Sequence, residues 1–133
     1  MQIVDYPADA AHVKIDESIC AYTKPHEVRA LLWLASKHPG AIVEIGANSG
    51  RTTSQLANHF RYRTIYAIDR LQTEGMAREQ VAEVPSPSDF CAFANALPNV
   101  LPIIQDGAAL RYDLLSDVGF VFIDGDHSYK GVR

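Results

Sequence analysis

Four carboxylates sit where four short apolar runs end: Glu44 in AIVEI (41–45), Asp69 after TIYAI (64–68), Asp106 just past VLPII (100–104) and Asp124 after GFVFI (119–123). If these runs are strands of one parallel sheet, the acids converge along one rim, since open parallel sheets bind ligands outside the carboxyl ends of their strands. A rim rich in carboxylates and without lysine suits a ligand that carries positive charge and hydroxyl groups. It is poorly matched to a pyrophosphate. The turn after the first run agrees: Gly46-Ala47-Asn48-Ser49-Gly50 is G-x-x-x-G, not the G-x-G-x-x-G that brings a dinucleotide pyrophosphate against a helix N-terminus. Asp69 follows Gly50 by about twenty residues, a separation that suits a carboxylate ending the second strand and accepting from ribose hydroxyls.

Each candidate also has an ordinary structural alternative. Glu44 could pair with a base or cap a turn, Gly46 and Gly50 could serve backbone conformation alone, and Asp69 could cap a helix. Asp106-Gly107 could be a plain turn, and Asp124-Gly125-Asp126 a solvated one. His127 is the only histidine of the expected crevice, suited to a general base near neutral pH or to a structural hydrogen bond.

The elements that must position these groups are legible from periodicity. Thr23-Lys24-Pro25 starts a helix with proline in its first turn; Val28, Leu31, Leu32 and Ala35 make its apolar stripe, and His38-Pro39-Gly40 stops it. Trp33 lies off the stripe, where it covers a flank or meets another chain. The four apolar runs are too short for helices and rich in β-branched or aromatic residues, so they are expected to be strands buried on both faces. Stripes at Thr53, Leu56, Ala57 and Phe60, and at Phe90, Phe93, Ala94 and Leu97, predict helices between them and therefore parallel β-α-β units. Right-handed crossovers then give an α/β, Rossmann-like parallel sheet of order 3-2-1-4, with Pro102 placing the third strand at an edge because proline cannot donate to a ladder. The polar stretch 70–88 predicts a loose helix and a surface loop. Residues 1–22 show no period and are taken as a lead-in to a domain spanning 23–133.

Composition narrows the function classes. With 133 residues, 47% of them apolar and 21% charged, the chain describes one globular domain. A net charge of −4 argues against a broad nucleic-acid surface, and no apolar run approaches the roughly 20 residues that span a bilayer. Cys20 and Cys91 have no metal-binding spacing and are too few for a disulfide framework, which suits buried thiols and a reducing cytoplasm.

The segments VEIGANSGRTT (43–53), YAID (66–69), NVLPIIQDGA (99–108) and FVFIDGDHSYKGV (120–132) resemble class I S-adenosylmethionine-dependent methyltransferases over roughly residues 41–132. IDGDHSY resembles a subgroup that includes small-molecule O-methyltransferases and antibiotic-tailoring enzymes. The resemblance implies S-adenosylmethionine as cofactor, with Glu44, Gly46, Asn48, Ser49 and Gly50 at its methionine part, Asp69 at the ribose, and Asp106 and Gly107 at the adenine. It implies catalytic roles for Asp124 and His127, with Asp124 helping to hold a divalent metal such as magnesium, and a small-molecule hydroxyl as methyl acceptor.

That family's full sheet has seven strands, whereas this sequence stops at Arg133. The resemblance therefore implies a fragment or a natural half-domain, with too few carboxylates for a good magnesium site. It also implies an uncovered fourth strand open to self-association, with symmetric dimers expected. The alternative to a methyltransferase is a noncatalytic cofactor-binding or assembly module derived from one. A nicotinamide-dependent dehydrogenase is disfavoured by the absence of G-x-G-x-x-G.

Overall fold

The computed structural model describes residues 8–72, 74 and 78–124. Proline at its first position starts helix α1 (Pro25–Ser36), and the Glu27 carboxylate accepts a hydrogen bond from the Lys24 backbone N–H at 2.6 Å, satisfying a donor the helix itself leaves unpaired. The predicted stripe is the buried face: Val28, Leu31, Leu32 and Ala35 are all in the core. Strand β1 (Ala41–Ile45) follows, then helix α2 (Arg51–His59), β2 (Ile65–Asp69), a short helix α3 (Arg78–Val81), β3 (Val100–Ile104) and β4 (Val118–Ile123).

The four strands form one sheet of order β3-β2-β1-β4, and every pairing is parallel. The α/β, Rossmann-like fold and its 3-2-1-4 order are thus as the periodicity predicts, with Pro102 on the outer strand β3 opposite Ala67. Burial on both faces holds for the two inner strands only. Ile42, Val43, Ile65, Ala67 and Ile68 are fully enclosed, whereas Leu101 and Ile104 of β3 and Val121 and Ile123 of β4 are exposed. The outer strands lack a neighbour on one side among the described residues, so apolar content alone overstates their cover.

One further expectation is corrected. The stripe at Phe90, Phe93, Ala94 and Leu97 does not form a helix; residues 87–96 run through successive turns. The reason lies in the hydrogen bonds: the backbone N–H groups of Cys91 and Phe93 donate to the carbonyls of Asn48 (2.9 Å) and Ser49 (3.0 Å) instead of to their own segment, and Cys91 sits at φ +59°. Phe90 and Ala94 are still buried, while Phe93 is exposed. The described part of the lead-in, from residue 8, has local structure of its own. Short 3-10 turns at Ala8–His12 and Glu17–Ile19 bring Ala10 into full burial and pack Val13 and Ile15 against the core.

At the amino ends of the strands, Arg63 donates to the carbonyls of Ala35 (2.8 Å) and His38 (2.6 Å), and Asn99 Nδ2 lies 3.0–3.1 Å from the carbonyls of Ala57, Phe60 and Arg63. These contacts tie off helix ends and loops opposite the rim, leaving the carboxyl ends of the strands open for a ligand.

Candidate functional site at the carboxyl ends of the strands

The turn after β1 is shaped by three left-handed residues, Gly46 (φ +93°), Asn48 (φ +50°) and Gly50 (φ +84°). Gly50 is required on two grounds. Its φ is one that side chains rarely adopt, and a Cβ there would stand 2.9 Å from the Cys91 Cα. Asparagine tolerates the left-handed region better than most residues, and Asn48 reinforces it locally, its Oδ1 accepting from the Ser49 N–H at 2.7 Å. Its Nδ2 donates to the Glu83 carbonyl at 3.0 Å, tying the turn to the segment after α3.

Asp69 ends β2 facing this turn. Its Oδ2 accepts from the Asn48 N–H at 2.9 Å and its Oδ1 from the Leu71 N–H at 3.1 Å. One bond to each oxygen leaves further lone pairs, since an ionised carboxylate can accept about four hydrogen bonds.

Glu44 lies one residue before the end of β1, between Ala67 of β2 and Phe122 of β4. It is 2% exposed and accepts from the Thr53 hydroxyl of α2. Burial pushes its carboxyl up to about 8, an effect that the Thr53 hydrogen bond opposes and the charges of Asp124 and Asp69 reinforce. Among the described residues its hydrogen-bond partner is this hydroxyl and not a base. The same burial pushes the Cys91 thiol up to about 11, so Cys91 is an inert core group. Cys20, expected to be buried as well, is only half-buried.

Asp106 caps the short turn Gly107–Ala109, accepting from the Ala108 N–H at 2.9 Å. The Gly107 carbonyl accepts from the Tyr112 hydroxyl at 2.8 Å. Asp124 directly follows β4, its N–H donating to the Ile45 carbonyl at 2.8 Å, which sets it beside the end of β1. Glu44, Gly46, Asn48, Asp69, Asp106, Gly107 and Asp124 line one cleft of about 1380 Å³. Ser49 and Gly50 complete the turn without lining it. His127 lies outside the described residues.

A divalent metal finds little support in this arrangement. Among the described residues no group of three His, Cys, Asp or Glu side chains could hold one, and hard cations such as magnesium need several oxygen ligands. Two features of the cleft have no counterpart in the sequence motifs. Arg51, the first residue of α2, lines it with its guanidinium 4.1 Å from the Phe93 ring centroid, and the segment Ile19–Thr23 forms part of its wall. The arginine directly after Gly50 was the available signal for the first; nothing in the spacing marked the second.

Fold and site define a Rossmann-like α/β protein whose cleft opens at the carboxyl ends of a parallel sheet. The chain belongs to a methyltransferase domain family, whose model matches residues 43–133. That span takes in the turn after β1, Asp69, Asp106, Asp124 and His127. A comparison with curated proteins finds no match. No helix among the described residues is long and apolar enough to cross a membrane.

Proposed function

We propose that this methyltransferase domain binds S-adenosylmethionine along the cleft and transfers its methyl group to the hydroxyl of a small molecule. The observation that carries the reading is the Asp69 carboxylate, held toward the Gly46–Gly50 turn by the Asn48 N–H and retaining acceptor capacity for two ribose hydroxyls. The donor set fits in other respects. The left-handed turn keeps side-chain bulk away at Gly46 and Gly50, and Asp106 with Gly107 offers a carboxylate and a backbone amide to a base edge. Glu44 supplies a buried acid under the turn. When bound, the cofactor provides a methyl group activated by a positively charged sulfonium, and the acidic rim suits that charge.

Asp124 is the candidate to hold the acceptor hydroxyl beside the end of β1, and His127 to take its proton. The hydroxyl reading rests on the IDGDHSY resemblance. Cys20 and Cys91 are both free thiols, which supports a reducing, cytoplasmic setting.

The test is transfer of labelled methyl from S-adenosylmethionine to a panel of hydroxylated small molecules. The expected result is label in an acid- and base-stable methyl ether, lost in Asp124→Ala. Binding of the cofactor without transfer to any acceptor would instead favour the noncatalytic module.

A further inference from the structure

The segment before α1 is built into the cleft from several directions. Asp16 and Gln55 pair reciprocally: the Asp16 N–H donates to Gln55 Oε1 at 3.1 Å, and Gln55 Nε2 donates to the Asp16 carbonyl at 2.6 Å. Gln55 is itself buried on α2, the helix that the Gly46–Gly50 turn leads into. One turn earlier on α2, Arg51 donates to the Ile19 carbonyl at 3.2 Å. Arg29 of α1 pairs with Glu17 and donates through Nε to the Val13 carbonyl at 3.2 Å. Three polar side chains from two helices thus fix residues 13–19, and the chain that follows, Ile19–Thr23, lines the same cleft as the strand-end residues.

Tyr22 is the conspicuous member of this wall. It lines the cleft yet is 73% exposed, so a ligand seated there would cover its ring. A tyrosine presents a broad apolar face and a hydroxyl at low entropic cost, properties that favour contact with a partly polar ligand.

We propose that Ile19–Thr23 is the second wall of the ligand site and that Tyr22 contacts the bound cofactor from it. The inference rests on the cofactor reading above and adds a residue outside the matched span to the binding surface. Anchoring by Gln55 and Arg51 makes the wall a fixed part of the site, so its contacts need little ordering on binding.

The free thiols offer a direct probe. Cys20 is half-buried in this wall, while Cys91 is fully buried, so a thiol reagent should label Cys20 rapidly and Cys91 only on unfolding. With S-adenosylhomocysteine as the probe ligand, saturation should slow Cys20 labelling several-fold. Tyr22→Ala should weaken its affinity by about fivefold to tenfold, as loss of one aromatic contact implies, with the urea midpoint unchanged, and Tyr22→Phe should restore most of it. If S-adenosylhomocysteine binds by calorimetry but neither slows Cys20 labelling nor loses affinity in Tyr22→Ala, the second wall is overturned and the cofactor reading stands. If it does not bind the wild-type chain at all, both are overturned.

Discussion

Asp69 Oδ2 accepts a hydrogen bond from the backbone N–H of Asn48 at 2.9 Å, joining the end of β2 to the middle of the turn after β1. Asn48 is held at φ +50°, a conformation that non-glycine residues seldom keep without support. Asp69 therefore shapes the turn as well as facing the cleft. Asp69→Ala should weaken S-adenosylhomocysteine binding by about 1.5–3 kcal/mol, through lost charge-assisted hydrogen bonds, and lower stability by about 1 kcal/mol or more because two N–H groups lose their acceptor. Asp69→Asn keeps a neutral acceptor for Asn48 and should fall between wild type and alanine. Calorimetry and urea unfolding measure the two effects separately.

Gly50 is where the turn meets the segment after α3. Placing a Cβ 2.9 Å from the Cys91 Cα at φ +84° combines left-handed strain of about 1–2 kcal/mol with a backbone clash. Gly50→Ala should therefore lower the urea midpoint clearly and weaken ligand binding too, since the turn carries both Asn48 and the start of α2. Full stability in this variant would contradict the close approach.

Glu44 makes stability depend on pH. Its carboxyl holds a proton up to about 8 in the folded protein against an ordinary value of 4.5. Between those values the folded state binds more protons than the unfolded chain, so this contribution is fully present below the lower value and is lost as pH rises through the upper one. Glu44→Gln, neutral throughout, should remove that part of the decline between about pH 5 and pH 8 and narrow its deficit against wild type, or exceed it, at the upper end. Parallel pH slopes of the two unfolding curves would contradict the assignment.

Much of the fold is legible because its apolar runs differ so plainly in period. Leu31, Leu32 and Ala35 recur at helical spacing and are buried on α1; Ile42, Val43, Ile65 and Ile68 come in short β-branched runs and are buried on the inner strands. The four strand-end acids could be placed once the strands were parallel. What could not be read is where long-range backbone bonds override local period. Phe90, Phe93 and Ala94 have helical spacing, but the N–H groups of Cys91 and Phe93 are taken by the Asn48 and Ser49 carbonyls. The Asp16–Gln55 pair joins residues far apart in sequence without any patterned signal. Short 3-10 turns anchored by side chains leave no hydrophobic period to detect.

The outer face of β4 bears on assembly. Val118, Val121 and Ile123 are exposed, and the run VGFVFI contains no charge to discourage pairing. A second copy of the chain is the proposed cover, by a symmetric contact along this strand. Light scattering should show a concentration-dependent dimer that Val121→Lys reduces to monomer. A monomer at high micromolar concentration would contradict it.

Whether the strand-end cleft holds S-adenosylmethionine is decided by titration calorimetry of the wild-type chain with S-adenosylmethionine and S-adenosylhomocysteine. Saturable one-to-one binding of both is expected, at Kd values of about 1 mM or tighter, with marked weakening in folded Asp69→Ala. Absence of saturable binding to a folded wild-type chain, or equal affinity in wild type and folded Asp69→Ala, would contradict it.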